Sequence, residues 1–333
     1  MRALICQAYA PLDALKVGEL PEPVPAAGEL SIRVEAAGIN FYDTLIVQGK
    51  YQVKPALPFS PGGEVAGTVV AVGEGVSHVQ PGDRVCAFTS YGGYAEVCRA
   101  RAAQTWPVPD AVDFRAAAAG LVTYGTAWFG LHDRARIRAG DTVLVLGAAG
   151  GVGLAAVQIA KAAGARVIAA AGSAERLALC RAHGADVLVD YTTTDLKDAV
   201  KAATGGNGAD IVVDVVGGPY TEAALRATAW RGRVLVIGFA AGEIPRIPAN
   251  LLLLKGCELS GVFWDELMRR EPAEAARQVA DVLAHFADGR LQPPVTAACG
   301  LEGAVDAMRS LAARKVAGKL IVLPQAGQGD DRS

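Results

Sequence analysis

The sequence predicts an α/β protein of two domains, one rich in β-strands and one built on a doubly wound parallel sheet. In the first third of the chain, short Val-rich runs alternate with Gly and Pro, as in "GEVAGTVVAVGEGV" (residues 63–76). Closely spaced turn signals of this kind predict short strands in a compact β-rich domain. From Asp141 onward, apolar strand-like runs alternate with helical stretches. That alternation predicts βαβ units and a parallel sheet.

Six strands and four helices are predicted in the region after Asp141. The strands read as nearly continuous Val, Ile and Leu, as expected when both faces of a sheet are buried. The predicted strands are Thr142–Leu146, Arg166–Ala170, Val187–Val189, Asp210–Val215, Arg233–Ile237 and Glu258–Val262. The predicted helices between them are Val152–Ala163, Ala174–His183, Thr194–Ala203 and Tyr220–Ala229. Two more helices, a last strand and a disordered tail are predicted at Pro272–Asp288, Leu301–Arg314, "GKLIVLP" (318–324) and "QAGQGDDRS" (325–333).

Composition narrows the class of protein. The 333 residues are 52% hydrophobic with a formal net charge of −2, so large packed cores are expected and no basic field attracts nucleic acid. No apolar run reaches the roughly 18 residues that a membrane span needs, and "MRALICQAYAP" lacks the apolar stretch of a signal peptide. The six cysteines are scattered without a CxxC pair, which is typical of the reducing cytoplasm. We expect a cytoplasmic protein.

A glycine-rich turn follows the first strand of the second region. In "GAAGGVG" the positions that match the dinucleotide fingerprint G-x-G-x-x-G are Ala148, Gly150 and Gly153, so the first glycine is replaced. Gly150 would let the backbone approach a pyrophosphate, and Gly153 would let the helix pack on the strand. With Gly151 and Val152 they open a helix whose free N–H groups attract phosphate. The alternative is a turn that only joins strand to helix, but the six-strand pattern favours a dinucleotide site.

The end of the second strand indicates which dinucleotide is bound. NAD sites usually place an acidic residue there for the ribose 2′-hydroxyl, whereas this strand ends "VIAAAGS" without an acid. Ser173, Arg176 and Tyr191 could instead hold a 2′-phosphate, with Arg176 supplying charge-assisted bonds. The nearby Glu175 counts against this interpretation, and Arg176 alone would be read as a solvated helix residue. The missing acid makes NADPH the predicted cofactor.

Six segments carry a resemblance to a known family. They are "AAGINFYDTLIVQGKY" (36–51), "PGGEVAGTVVAVGEGV" (61–76), "GDRV" (82–85), "AAGGVG" (148–153), "GFAAG" (238–242) and "GKLIV" (318–322). Together they resemble the zinc-free quinone oxidoreductase branch, the zeta-crystallin-like NADPH:quinone reductases, of the medium-chain dehydrogenase/reductase superfamily. The resemblance implies a GroES-like catalytic domain from residues 1–122 and 265–333. It also implies a Rossmann domain with a six-stranded parallel sheet over 123–264.

The same resemblance shows which zinc ligands are missing. Zinc alcohol dehydrogenases of this superfamily have Cys where this chain has Asn40 and His where it has Gly63. Their four-cysteine lobe is also absent, since the corresponding stretch holds just Cys86 and Cys98. Glu64 alone is too little for a tetrahedral site. We therefore expect no metal. Without a Lewis acid, the substrates that remain are strong hydride acceptors, namely quinones and enones.

Two residues of the first domain are the candidate catalytic residues. The resemblance implies that Asn40 lies near the nicotinamide, where its amide could bond ribose or substrate. Tyr51 stands in "VQGKY", and related enoyl-thioester reductases use a Tyr in a similar setting, so its phenol could protonate an enolate. The alternative, that Tyr51 anchors a loop by packing, stays open. Tyr42 and Tyr124 are expected to be structural.

The resemblance also implies cofactor contacts and an oligomeric state. Thr123, Phe239 and Lys319 are expected to reach the cofactor. Phe263 and Trp264 are expected to wall the nicotinamide pocket, although packing between domains would explain both equally well. The strand Glu258–Val262 commonly pairs across a dimer axis in this family, so a homodimer is expected.

The sequence is compatible with three functions. The leading one is an NADPH:quinone oxidoreductase that works without metal on small-molecule quinones. The first alternative is an NADPH-dependent reductase of enones or of 2-enoyl thioesters, including acyl-CoA, because fold, cofactor and pocket would be shared. The third is a non-catalytic NADPH-binding or RNA-binding protein, as some zeta-crystallin relatives are. The net charge of −2 counts against an RNA-binding role.

Overall fold

The structure is a computed structural model that describes residues 1–326. Its strands are β1 (Arg2–Ile5), β2 (Lys16–Glu19), β3 (Glu29–Gly38), β4 (Glu64–Val72), β5 (Arg84–Phe88), β6 (Val97–Arg101), β7 (Thr105–Pro107), β8 (Thr142–Leu146), β9 (Arg166–Ala171), β10 (Val187–Asp190), β11 (Ala209–Asp214), β12 (Thr228–Val236), β13 (Glu258–Gly261), β14 (Val295–Cys299) and β15 (Lys319–Val322). Its α-helices are α1 (Phe41–Ile46), α2 (Phe114–Trp128), α3 (Gly151–Ala162), α4 (Ala174–Ala182), α5 (Leu196–Ala203), α6 (Pro219–Ala227), α7 (Ala249–Lys255), α8 (Trp264–Arg270), α9 (Pro272–Ala287) and α10 (Ala304–Ala312).

The chain divides into two compact units. The first unit is Met1–Val122 together with the chain from Arg270 onward, and the second unit is Thr123–Arg269. Residues from both halves of the sequence thus fold into the first unit. The predicted domain limits at 122/123 and 264/265 stay a prediction about the functional domains.

The first unit is organised around one sheet with the order β14-β15-β3-β4-β5-β7, in which β6 also pairs with β3. The late strand β15 runs antiparallel to β3 and places Ile321 opposite Gly38. The Ile39 N–H donates to the Leu320 carbonyl at 2.9 Å, which extends this pairing beyond the end of β3. The start of β15 is therefore fixed beside the residues that lead into α1. One apolar core, which includes Leu30, Ile32 and Met308, joins these segments.

The second unit is a doubly wound parallel sheet with the order β10-β9-β8-β11-β12-β13. All five pairings are parallel, so the predicted six-stranded sheet and the α/β fold class are confirmed. The strand order reverses between β8 and β11, and ligands of such sheets bind beyond the carboxyl ends of the strands at that point. Its core is built from the Val, Ile and Leu runs that predicted the strands, such as Leu144, Ile168 and Val212.

The boundaries of several helices differ from those predicted from the sequence. The predicted helix Tyr220–Ala229 ends at Ala227, because Thr228 already pairs with Ala209 in the sheet. The predicted helix Thr194–Ala203 begins at Leu196, because the Asp195 carboxylate caps it by accepting the Asp198 N–H at 2.8 Å. The predicted helix Leu301–Arg314 is a short 3₁₀ turn followed by α10. The tail predicted to be disordered lies outside the described residues, apart from its first two residues.

Sequence patterns did not predict helices α1, α2, α7 and α8 or strands β1, β2, β7 and β14. The reason is clearest in α7, whose run "NLLLL" has no polar face and so no helical period. Leu253 and Leu254 of this helix are 80% and 69% exposed, so apolar residues there do not mark the buried side. Within residues 1–326, each helix is too short or too polar to cross a membrane.

Candidate active site

Five side chains with polar or ionisable groups are buried together in the first unit, and we call them the buried polar cluster: Asn40, Asp43, Glu64, Tyr94 and Lys319. Asn40 ends the segment between β3 and α1, and Asp43 lies in the first turn of α1. Glu64 begins β4 and Lys319 begins β15. The sheet pairing of β3 with both β4 and β15 brings these positions together.

The amide of Asn40 bridges a buried ion pair. The Lys319 Nζ donates to Asn40 Oδ1 at 2.6 Å, and Asn40 Nδ2 donates to Glu64 Oε1 at 2.8 Å. Lys319 and Glu64 also form a direct ion pair with side chains that are 4% and 0% exposed. A flipped amide would turn its NH₂ group toward the ammonium and its oxygen toward the carboxylate, so two charge-assisted bonds would be lost. The orientation of the Asn40 amide is therefore fixed.

Glu64 has a second hydrogen-bond partner, and its carboxylate lies directly against Gly38. Its Oε2 accepts the backbone N–H of Val122 at 2.8 Å. A Cβ on Gly38 would overlap Glu64 Oε1 and lie 2.5 Å from the Ala118 carbonyl oxygen. Any side chain at position 38 would therefore displace the carboxylate, which explains the glycine in "AAGIN".

Asp43 is a fully buried carboxyl group of the cluster. Its Oδ2 accepts the Asn40 backbone N–H at 2.7 Å and the Tyr94 hydroxyl at 2.9 Å. Its Oδ1 has no hydrogen-bond partner among residues 1–326. Burial, assisted by the charge of Glu64, raises the pKa of Asp43 to about 7, although the bonds from Asn40 and Tyr94 and the charge of Lys319 oppose the rise. The carboxyl group therefore titrates near neutral pH.

The space beside Gly63 is filled by an aromatic side chain. A Cβ on Gly63 would overlap the Tyr42 hydroxyl oxygen and lie 2.8 Å from Tyr42 Cζ and 2.9 Å from the Ser90 carbonyl oxygen. The Tyr42 ring is also stacked on Tyr51, with centroids 5.4 Å apart and planes inclined by 25°. On another side it meets the edge of Phe88. Tyr42 thus occupies the volume that a larger residue at position 63 would need, and it supports the Tyr51 ring.

In the second unit, the glycine-rich turn lies between β8 and α3. Gly150 is the N-cap of α3. A Cβ on Gly153 would overlap the Gly147 carbonyl oxygen and lie 2.8 Å from Ala148 Cα, so the helix can approach the strand only with glycine there. Gly150, Gly151 and Val152 are partly exposed at the start of the helix. Free N–H groups of a helix N-terminus in this position can bind a phosphate.

The residues predicted to hold a 2′-phosphate gather at the end of β9. Ser173 caps α4 and its Oγ accepts the Arg176 N–H at 3.3 Å. A Cβ on Gly172 would lie 3.5 Å from the Tyr191 ring and 3.8 Å from its hydroxyl. Tyr191 itself packs against Tyr220, with centroids 4.5 Å apart. Ser173 and the Arg176 backbone thus lie at the end of β9, and Tyr191 lies beside the adjoining Gly172.

An acidic residue that sequence reasoning missed shapes the next strand end. Asp214, at the end of β11, is buried, and its Oδ1 accepts the N–H groups of Val216 and Gly217 at 2.9 Å each. Its Oδ2 accepts the Thr221 hydroxyl at 2.5 Å. Gly217 has φ of +71° and lies against Phe239, whose ring is partly exposed. Asp214 therefore fixes the turn that supports Phe239.

The remaining predicted contacts differ in their surroundings. Phe263 is 53% exposed. Trp264 is 3% exposed, and a Cβ on Gly125 would lie 2.5 Å from its ring, so the indole packs on α2 inside the second unit. Thr123 is buried in the same helix. Among residues 1–326, no group of three or more His, Cys, Asp or Glu side chains is placed to hold a metal ion.

We predict that Gly63→Ala destabilises the protein by about 1–3 kcal/mol, because the added methyl group overlaps Tyr42 in a packed site. In a double-mutant cycle, Tyr42→Phe should reduce that cost, because it removes the overlapping oxygen. Urea unfolding measures both effects. Gly300→Ala is the matched control, since its Cβ would meet its neighbours no closer than 3.4 Å. Equal effects of Gly63→Ala and Gly300→Ala would contradict the packing described here.

We predict that Asp43 makes the protein less stable as pH rises. Its pKa of about 7 in the folded chain lies above its ordinary value of 3.8, so the folded state binds the proton more tightly. The stability from this group is complete below pH 4 and is lost as pH rises through 7. Between pH 5 and 8 the free energy of unfolding should fall by about 2–3 kcal/mol more in the parent than in Asp43→Asn. Urea unfolding at both pH values tests this.

The fully exposed Asp110 provides the control for that experiment. Asp110→Asn should leave the pH dependence of the parent unchanged. Parallel pH profiles for the parent and Asp43→Asn would show that Asp43 keeps the same affinity for its proton on unfolding.

Comparison with known proteins places these features in a family. Residues 26–110 match the family described as alcohol dehydrogenase GroES-like domain, and residues 151–281 match the zinc-binding dehydrogenase family. Quinone oxidoreductase-like protein 2 of Rattus norvegicus is 39% identical over 96% of this chain and 91% of its own length. The Bos taurus protein of that name is 41% identical over 91% of this chain and 86% of its own length.

Solved structures agree with this assignment. A mycobacterial protein solved in complex with NADPH has a TM-score of 0.90 and 35% identity, covering 97% of this chain and all of its own. The Escherichia coli quinone oxidoreductase, also complexed with NADPH, has a TM-score of 0.90 and 29% identity over the same shares. The predicted resemblance is thereby confirmed. The chain belongs to the quinone oxidoreductase branch of the medium-chain dehydrogenase/reductase superfamily.

Proposed function

We propose that this protein is an NADPH-dependent oxidoreductase that transfers hydride to quinones without a metal ion. The observation that carries the proposal is the buried polar cluster, which presents an oriented amide at the position where zinc relatives have a cysteine. Relatives named quinone oxidoreductase and neighbours solved with NADPH support the choice of substrate and cofactor.

The second unit has the features that an NADPH site needs. Gly150, Gly151, Val152 and Gly153 would hold the pyrophosphate at the start of α3, because Gly153 lets the helix meet the strand and the N–H groups there are partly exposed. The trio described at the end of β9 would hold the 2′-phosphate: Ser173, Arg176 and Tyr191. We keep Thr123, Phe239, Phe263 and Trp264 as proposed contacts of the cofactor, with Trp264 acting from a buried position.

When bound, NADPH supplies the hydride. The protein has to orient the acceptor and stabilise the negative charge that develops on its oxygen. Asn40 is suited to this, because its Nδ2 has one hydrogen on Glu64 and the other without an acceptor among the described residues. Tyr51, held on the Tyr42 ring, would line the acceptor site and could donate a proton. A quinone can also take its protons from water.

The surroundings of Gly63 support a reaction without zinc. The second ligand position of the zinc relatives is a glycine here, and the Tyr42 hydroxyl fills the adjoining space. Asn40, at the first ligand position, is engaged by Lys319 and Glu64. A zinc ion needs about four ligands of the Cys, His or carboxylate type. We therefore propose that the site stabilises charge with hydrogen bonds alone.

We also propose a homodimer that forms through the edge strand β13. This strand is unpaired on one side of the sheet in the described chain, and Leu259 on it is partly exposed. Trp230, Leu253 and Leu254 add exposed apolar surface in the same unit. Exposed edges and apolar patches of this kind favour pairing with another copy.

Six free cysteines, of which five are buried, fit the proposed cytoplasmic location.

Tyr51→Phe tests the choice between quinones and enoyl thioesters. A quinone needs no positioned acid, so the variant should reduce 9,10-phenanthrenequinone within roughly tenfold of the parent, about 1.4 kcal/mol. An enoyl thioester passes through an enolate, where a proton donor is worth about 10²–10⁴-fold. Steady-state NADPH oxidation with the quinone and with crotonyl-CoA measures both. The proposal fails if the parent prefers crotonyl-CoA and Tyr51→Phe loses that activity by about 10²-fold or more. Tyr91→Phe removes a half-exposed phenol elsewhere in the first unit and serves as the control.

Arg176→Ala tests the choice of cofactor. We expect a loss of about 1.5–3 kcal/mol in binding of NADPH, because a charge-assisted bond to the 2′-phosphate is removed, while binding of NADH stays the same. Fluorescence titration with each cofactor gives the two affinities. Arg181→Ala on the same helix is the control, since that guanidinium bonds the Asp186 carbonyl. Equal losses for NADPH and NADH would mean that Arg176 only supports the fold.

A further inference from the structure

We propose that Lys319 and Glu64 are positioning residues that hold the Asn40 amide in its reactive orientation. This rests on the proposed function, because it requires Asn40 to act on the substrate. The family resemblance implies that Lys319 reaches the cofactor. The geometry points to a different role, since its ammonium group is engaged by Asn40 Oδ1 and by the Glu64 carboxylate.

Charge decides the orientation of the amide. The cation lies 2.6 Å from Oδ1 and the carboxylate oxygen lies 2.8 Å from Nδ2, so each end of the amide faces its electrostatic complement. Both charged side chains are buried, and charge-assisted bonds in such surroundings are stronger than in water. The second hydrogen of Nδ2 consequently points in one fixed direction. An oriented donor of this kind stabilises a developing oxyanion without having to reorganise during the reaction.

The pair is also built to be rigid. The Val122 N–H donates to the other carboxylate oxygen of Glu64, and the Glu64 carboxylate lies in the space that a Cβ at Gly38 would occupy. The Lys319 backbone belongs to β15, whose pairing with β3 extends to the Ile39 N–H. Both partners of the amide are therefore fixed by the sheet that also carries Asn40.

The experiment is a double-mutant cycle on the single-turnover rate of NADPH oxidation by a quinone. That rate constant does not depend on the fraction of folded protein. A variant that only lowers the stability of the fold therefore leaves it unchanged. The variants are Asn40→Ala, the paired change Lys319→Met with Glu64→Gln, and all three changes together. The paired change removes one positive and one negative charge together, so neither Lys319 nor Glu64 is left as a buried charge without its partner, which would be strongly destabilising.

We expect Asn40→Ala to lower the rate by about 10²-fold, the magnitude for loss of one oxyanion donor. The paired change should lower it by at least tenfold with KM for NADPH within twofold of the parent. The triple variant should be no slower than Asn40→Ala, because the pair acts through the amide. Lys319→Arg, which keeps a positively charged donor, should retain most of the parent's rate. Val69→Ala, a buried change five residues along β4 from Glu64, should lower stability and leave the rate unchanged.

Two results would overturn the inference alone: multiplied losses in the triple variant, or an unchanged rate in the paired variant while Asn40→Ala is slow. If Asn40→Ala itself leaves the rate unchanged, the role given to Asn40 in the proposed function is wrong, and the inference fails with it. The rate of Asn40→Ala alone thus shows whether only the positioning role fails or the proposed role of Asn40 fails as well.

Discussion

The ion pair of Lys319 and Glu64 is the interaction on which the candidate site depends. Two opposite charges in a protein interior are costly unless every remaining hydrogen-bonding group is satisfied. Here Asn40 accepts from one partner and donates to the other, and Val122 satisfies the second carboxylate oxygen. The same contacts connect β4, β15 and the start of α1. The contacts that hold these segments together are therefore the same contacts that orient the Asn40 amide.

A second constraint is space. Gly38 and Gly63 each face a group that a Cβ would overlap, namely the Glu64 carboxylate and the Tyr42 phenol. Both glycines lie next to residues of the buried polar cluster, and both allow large polar side chains to pack at short range. The aromatic support of Tyr51 also follows from this packing, because the Tyr42 ring that adjoins Gly63 is the one on which Tyr51 stacks. The absence of side chains at Gly38 and Gly63 thus leaves the space that the Glu64 carboxylate and the Tyr42 phenol occupy.

Sequence patterns predicted the second unit well, because its strands are short apolar runs whose periodicity is local. The glycine-rich turn and the residues near β9 that we propose for the 2′-phosphate could be selected from the sequence for the same reason. The buried polar cluster could not, since Lys319 is 279 residues from Asn40, and no local pattern records such a pairing. From the sequence, Glu64 is only an insufficient zinc ligand, and Tyr42 is expected to be structural. Sequence patterns also do not show that Trp264 is buried, with its ring against Gly125, where a larger residue would overlap it.

We propose that hydrogen bonds from buried side chains replace a metal ion in this site. The most direct measurement is elemental analysis of the purified protein, combined with NADPH-dependent quinone turnover before and after dialysis against a strong chelator. We predict far less than one zinc per chain and the same turnover in both samples. About one zinc per chain, with turnover that is lost on chelation and restored by zinc, would contradict a reaction without metal.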